Sequence, residues 1–232
     1  MAFTEIFFLQ LIAHVLTDFY FQTDKTVREK FAKGIKSKFL YRHILIVFVL
    51  SWVLSFQLEF VYVSAFIAIT HYLIDLLKPG ISRIKSIGAY GFFIDQALHI
   101  FIILIAVHWF TSNQVIDPLF VMEKGLIHLI LIYLIALKPT NILIREVFRV
   151  YGIKTPSSDD LPNAGKLIGN LERILIITLG LAGLLEAVGF LIAAKSILRY
   201  KDTDNLKTEY VLVGTLLSFG IATILSLWHL YI

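Results

Sequence analysis

Residues 43–77 read HILIVFVLSWVLSFQLEFVYVSAFIAITHYLIDLL, with no Lys or Arg and only two acids, Glu59 and Asp75. Two apolar runs, 43–58 and 60–77, are each close to the about 20 residues that cross a bilayer as a helix. Gln57, Leu58 and Glu59 are all that divides them. The expectation is two spanning helices joined as a tight hairpin. Working outward, comparable runs at 2–22, 92–110, 118–138, 172–199 and 209–230 give about seven hydrophobic segments. The expected fold is an all-α, polytopic transmembrane helix bundle.

Composition agrees. Of 232 residues 58% are hydrophobic and 16% charged, against about 45–50% and 25% in soluble domains. The mean hydropathy is +0.80. This excludes an ordinary soluble domain and a disordered chain. The absence of cysteine excludes thiolate metal sites, Fe–S clusters, disulfides and thiol nucleophiles. The isoelectric point near 9.2 does not come from one long basic tract, so a nucleic-acid partner is not expected and membrane lipids are. The N-terminal run lacks a basic leader and carries His14 and Asp18, which reads as a span rather than a cleaved signal.

Charge sets the expected orientation. Residues 23–42 carry Lys25, Arg28, Lys30, Lys33, Lys36, Lys38 and Arg42 against Asp24 and Glu29, and residues 78–91 carry Lys78, Arg83 and Lys85 without an acid. The connections at 57–59 and 111–117 have neither Lys or Arg. Under the positive-inside rule the N-terminus is expected outside and the basic connections in the cytoplasm. One integral-membrane domain, 1–232, is expected. Its longest polar connection, at about 139–171, contains Pro139, Pro156, Pro162, Ser157, Ser158, Asp159 and Asp160 and reads as a cytoplasmic loop. Segment 172–199 contains Gly180, Gly183 and Gly189. It would extend about 42 Å as one helix, beyond the roughly 30 Å hydrocarbon core. It is either one long tilted span or a re-entrant pair broken near Gly180–Gly183.

Ionisable residues inside apolar runs are costly and point to function. The first segment carries His14-Val-Leu-Thr-Asp18, the third His71-Tyr-Leu-Ile-Asp75 and the fourth Asp95-Gln-Ala-Leu-His99, while His43 opens the second. Each pair has i,i+4 spacing, so both side chains share one helical face. The charge-derived topology puts all seven near the cytoplasmic boundary. Imidazole with carboxylate suits a first-row divalent metal such as Zn or Mn. Seven ligands exceed one tetrahedral ion and suit up to two ions sharing a carboxylate. The same pairs could instead form a proton or cation relay, or hydrogen-bonded glue between helices. Gln22 and Gln96 flank the cluster as supporting or simple boundary polar residues. Glu172, Arg173, Lys195 and Arg199 form a second group of candidate catalytic residues, able to balance phosphate charge or to snorkel at the membrane boundary.

The stretches HVLTDFYFQ at 14–22, HYLID at 71–75 and 165–199, from Gly165-Lys166 through Glu172-Arg173 to Lys195-Ser196 and Arg199, resemble domain-of-unknown-function family 3307, a group of bacterial polytopic membrane proteins. The HxxxD pieces are more distantly similar to membrane-bound metal-dependent hydrolases related to phospholipase C and nuclease P1. The resemblance implies a bacterial inner-membrane setting and favours a phosphohydrolase. The expected function is a divalent-metal-dependent hydrolase at the cytoplasmic interface, acting on a lipid or lipid-linked phosphate ester. Alternatives are a metal-ion or proton-coupled transporter, against which the almost wholly apolar outer halves of the first, third and fourth segments argue, and an adaptor that binds acidic lipid or a partner through residues 23–42.

Overall fold

In the computed structural model, residues 2–85, 87–153, 164–199 and 205–231 are described, and among them all regular structure is helical. They group into two compact units, Met1–Leu131 and Ile132–Ile232.

The first unit holds α1 (Phe3–Val15), α2 (Asp24–Lys33), α3 (Lys38–Ser55), α4 (Val61–Arg83), α5 (Gly91–Asn113) and most of α6 (Lys124–Ala136). Helix α1 packs against α3 and α5, and α4 packs against both of these as well. Each helix shows why the composition is so apolar. On α3, Leu40, His43, Val47, Ser51 and Ser55 point inward, while Leu45, Val49 and Val53 are exposed on the opposite face. On α4, Val63, Ile67 and His71 are buried, and Tyr62, Phe66, Ile69, Leu73 and Leu77 are exposed. A continuous exposed apolar surface of this kind is what lipid-facing helices carry. The dry core, Ile6, Val47, Phe60, Ile67, Ile103, Val107 and Phe110 among others, fills one half of this unit. The polar residues occupy the other.

The α3–α4 hairpin forms where expected. Phe56 adopts a left-handed conformation (φ +53°) that ends α3, and a short helical turn over Leu58–Phe60 leads into α4. The stretch read as a basic loop, 23–42, instead contains α2. Thr23 caps it, accepting from the Thr26 amide, while Thr26 Oγ1 accepts in return from the Thr23 amide. Asp24 at its start and Lys30 and Lys33 at its end complement the helix dipole.

The second unit holds α7 (Lys138–Val150), α8 (Ala164–Leu181), α9 (Leu185–Arg199) and α10 (Asn205–Leu230) around a core that includes Ile132, Ile176, Ile177, Phe219 and Ala222. Helix α7 corrects the expected loop at 139–171. Pro139 lies in its first turn, where a missing N–H costs no helical hydrogen bond. Pro156, Pro162 and the Ser-Ser-Asp-Asp run lie outside the described residues. Segment 172–199 breaks at Gly183 (φ +75°). The Leu184 amide donates to Leu179 O and the Gly183 amide to Gly180 O, the Schellman pattern that ends a helix on glycine. Lys195 Nζ meets Glu172 Oε2 at 2.5 Å. Residues so far apart in sequence meet only if α9 doubles back along α8, so the segment is a helical hairpin and not one long helix.

Not every one of the about seven hydrophobic segments is a single helix long enough to span. Among the described residues four helices, Lys38–Ser55, Leu58–Arg83, Gly88–Asn113 and Thr208–Leu230, are long and apolar enough to cross a membrane. The pair Lys124–Ala136 and Lys138–Val150, bent by 42°, makes up to a fifth. Segment 2–22 contributes only a 13-residue α-helix before its geometry changes, and 172–199 is divided between two helices.

Candidate metal centre

The change in α1 positions the site. After Val15 the chain widens into a π-helical turn, Leu16–Tyr20, in which the Phe21 amide bonds Leu16 O at 2.9 Å, five residues back. Such turns are rare and concentrate at functional sites. Asp18 sits on it. His14 comes from α1, His43 from the first turns of α3, His71 and Asp75 from α4, and Asp95 and His99 from α5. Pro79 on α4 cannot donate to the carbonyl of Asp75 four residues earlier, so the helix is weakened where it supplies a candidate ligand.

These side chains converge. His43 Nε2 and His71 Nε2 are 2.9 Å apart. Asp18 Oδ1 lies 3.3 Å from each of them. Asp75 Oδ2 is 3.7 Å from His43 Nε2 and 3.9 Å from His71 Nε2. His99 stacks on His71 with 3.9 Å between ring centroids, and its Nε2 is 3.6 Å from Asp95 Oδ1. His14 Nδ1 is 3.9 Å from Asp18 Oδ2. All five imidazole or carboxylate groups of His14, His43, His71, Asp95 and His99 are buried, and Asp18 and Asp75 are nearly so, with side chains 10% and 8% exposed. Three overlapping sets bring ligand atoms within 4.8 Å of one another: His14, Asp18 and His71; His43, His71 and Asp75; Asp18, Asp95 and His99. Asp18 and His71 each belong to two sets.

The cluster is not self-satisfied. Asp18 Oδ1, Asp95 Oδ1, His43 Nδ1 and His99 Nε2 are buried without a hydrogen-bond partner, although buried polar atoms are nearly always paired. A tetrahedral ion with bonds of about 2.0–2.1 Å holds its ligand atoms about 3.3 Å apart. The triangle of Asp18 Oδ1, His43 Nε2 and His71 Nε2 has two edges of 3.3 Å and one of 2.9 Å, so the residues present fit a divalent metal. Gln96 supports the arrangement. Its Nε2 donates to Asp95 Oδ2 at 3.1 Å and Asp18 Oδ2 at 3.4 Å, and its Oε1 lies 3.2 Å from His14 Nε2. Gln22 Nε2 lies 3.1 Å from His43 Nε2.

Two participants are absent from the sequence reading. Lys30 Nζ donates to Asp75 Oδ2 at 2.7 Å, and Lys78 Nζ to Asp95 Oδ2 at 2.6 Å. Both had been assigned to topogenic charge. For Lys78 a signal existed: it follows Asp75 by three residues on α4, on the same face. For Lys30 there was none, because its approach depends on α2 folding back toward α4. With the imidazoles neutral, three aspartates against two lysines leave one net negative charge in the cluster.

Beyond the cluster a cavity of about 10 Å³ is lined by Gln10, His14, Thr17, Ser51 and His71, with Ala13, Val47, Ile67 and Ile103. That is room for about one water. The half of this unit away from the cluster, read from the sequence as almost wholly apolar, carries a small polar network. Gln10 Nε2 donates to Ser51 O at 2.9 Å, and Ser51 Oγ donates to Gln10 Oε1 at 2.6 Å and lies 3.2 Å from Ser64 Oγ. Farther along, Ile6, Phe60, Val107 and Phe110 are fully buried.

The second candidate group is built differently. Arg173 is 1% exposed. Its guanidinium donates to Ser218 Oγ, Asn141 Oδ1 and Asn170 Oδ1, each at 2.7 Å, and to Ala136 O. Glu172 pairs with Lys195, whose ammonium also lies 5.0 Å from the centre of the Phe219 ring. These contacts all lie within the second unit. The side chains of Ser196 and Arg199 lie outside the described residues.

A family model described as Protein of unknown function (DUF3307) matches residues 6–127, the stretch that supplies all seven candidate ligands and both lysines. The chain belongs to that family. No curated protein and no solved structure matches it.

Proposed function

We propose that this DUF3307 member is a membrane-embedded, divalent-metal-dependent hydrolase of phosphate esters, with its centre at the cytoplasmic boundary of the bacterial inner membrane and its N-terminus outside. The observation that carries the reading is the triangle of Asp18 Oδ1, His43 Nε2 and His71 Nε2, three buried atoms of ligand type at mutual distances of 2.9–3.3 Å, with Asp18 Oδ1 left without a hydrogen-bond partner. His14, Asp75, Asp95 and His99 complete the ligand set. The one net negative charge left by Lys30 and Lys78 favours a single Zn or Mn ion. A second ion would need an added anionic ligand and would draw on the same donors, with Asp18 common to two of the ligand sets.

When bound, the metal supplies a Lewis acid and a water acidified toward neutral pH. The chain supplies the rest. Gln96 holds Asp18 and His14 in register. Lys30 and Lys78 add positive charge where a phosphoryl group gains negative charge in the transition state. In the net reaction water adds to phosphorus, the P–O ester bond breaks, and the alcohol leaves with a proton. The basic connections at the cluster end of the first unit support the cytoplasmic placement.

The alternative, a metal-ion or proton-coupled transporter, draws on the Gln10–Ser51–Ser64 network beyond the cluster. The fully buried Ile6, Phe60, Val107 and Phe110 weigh against a path through the bundle. Elemental analysis of the purified chain should find about one Zn or Mn, most of it lost in His71→Ala. Phosphate release from phosphatidate in mixed micelles should follow metal content. Retained metal with no hydrolysis, together with metal flux into proteoliposomes, would replace the enzyme by the transporter.

A further inference from the structure

A cleft of about 250 Å³ opens between α2 and α3 and reaches the cluster, with His43 and Gln22 among its lining residues. Lys30 and Arg42 also line it. Lys30 is shared with the centre through Asp75. Arg42 is exposed and has no ion-pair partner among the described residues. Arg42 and the candidate ligand His43 both line the cleft, so an anion held there by the guanidinium shares it with a candidate metal ligand. Phe21, 57% exposed, and Phe39 and Ile46 supply an apolar border.

We infer that this cleft is the seat of a phosphomonoester group, gripped by Arg42 and Lys30. The chemistry is directional. A guanidinium matches two phosphate oxygens at once, which an ammonium cannot do. Lys30, already on Asp75, is placed to bridge that carboxylate and the incoming anion. The volume is below the about 300–1,000 Å³ of pockets that enclose whole drug-sized ligands, so it takes a head group and leaves a longer chain outside, beside Phe21. As a substrate site the cleft rests on the hydrolase reading; as an anion site it stands without it. The phosphate could belong to a lipid or to a soluble ester.

The test uses the full chain in detergent, with and without chelator. Binding of inorganic phosphate and glycerol phosphate is measured by calorimetry. Retention of phosphatidate from mixed micelles is measured by native mass spectrometry. Arg42→Gln should weaken binding at least tenfold while metal content stays at the wild-type level, because the Arg42 side chain is exposed and is no member of the candidate ligand sets. Arg42→Lys should recover part of the loss. Adding Lys30→Gln to Arg42→Gln should weaken binding further. Binding confined to phosphatidate assigns the cleft to a lipid head group, and equal binding of glycerol phosphate assigns it to a soluble ester. Arg42→Gln binding within twofold of wild type in both arms, or no binding by wild type in either, overturns the inference. Arg42-dependent binding by a protein that never holds metal keeps the cleft and discards the hydrolase.

Discussion

Each unit buries a polar cluster among its helices, and the two are built on opposite plans. In the second unit one cation, Arg173, is surrounded by neutral acceptors, and four of its N–H groups are used. In the first unit three carboxylates and four imidazoles crowd together, two imidazole nitrogens lie 2.9 Å apart, and four buried polar atoms have no hydrogen-bond partner. A satisfied network ties helices together and holds one arrangement. An unsatisfied one costs stability unless something absent from the chain completes it. The contrast assigns packing to the Arg173 cluster and chemistry to the His–Asp cluster.

The strongest way to break this contrast is a crossed pair of substitutions. Asp18→Asn keeps the shape and removes the charge. It should lower metal affinity by more than the about 10–100-fold typical of lost supporting groups, while thermal stability without metal is retained or rises. Arg173→Met should do the reverse. It leaves Ser218, Asn141, Asn170 and Ala136 O without their donor, costing about 2–4 kcal/mol in unfolding measurements, while the folded fraction keeps its metal. Elemental analysis beside thermal unfolding reads both. Metal loss from folded Arg173→Met would erase the distinction.

Gln96 sharpens the same line at smaller scale, because it touches three candidate ligands and is not one itself. Gln96→Leu should weaken metal binding about 10–100-fold with the ligand set intact, measured by competition with a chromogenic chelator. An unchanged affinity would reduce Gln96 to a boundary residue.

Lys78→Met has the opposite sign. The ammonium at 2.6 Å from Asp95 Oδ2 repels a metal in the cluster, so removing it should tighten metal binding about tenfold, or ~1.4 kcal/mol. Phosphate-ester turnover should fall, since the same charge stabilises the anion. Weaker metal binding would mean that Lys78 holds Asp95 in place rather than competing for it.

How much of this was legible beforehand follows from what spacing encodes. The i,i+4 His–Asp pairs depend only on helical periodicity, and the sequence displays them directly. Where Lys30 points is not encoded that way, and for Lys78 the spacing to Asp75 gives the helical face but not its partner, Asp95. A lysine reads alike whether it faces lipid head groups or a buried carboxylate, and the difference lies in the path of α2 and the turn after α4. The π-helical turn under Asp18 also has no composition signature. Pro139 misled because proline both breaks helices and starts them. Over 172–199 hydropathy sums leave one long helix and a pair broken near Gly180–Gly183 both open, and the left-handed Gly183 decides for the pair.

The smallest expected effect tests that joint. The Glu172–Lys195 pair is partly exposed, at 15% and 24%, so Glu172→Gln should cost no more than about 1 kcal/mol. Stability alone would hardly register it, but geometry will. In one continuous helix residues 172 and 195 would lie about 34 Å apart, whereas in the hairpin their side chains touch. The chain has no cysteine, so Glu172→Cys combined with Lys195→Cys places two unique thiols. A short bismaleimide should link them within one chain, giving a faster-migrating band that is absent from either single variant. Absence of that band, with both thiols shown to be reactive, would straighten the segment and remove the hairpin that sets Lys195 beside Glu172.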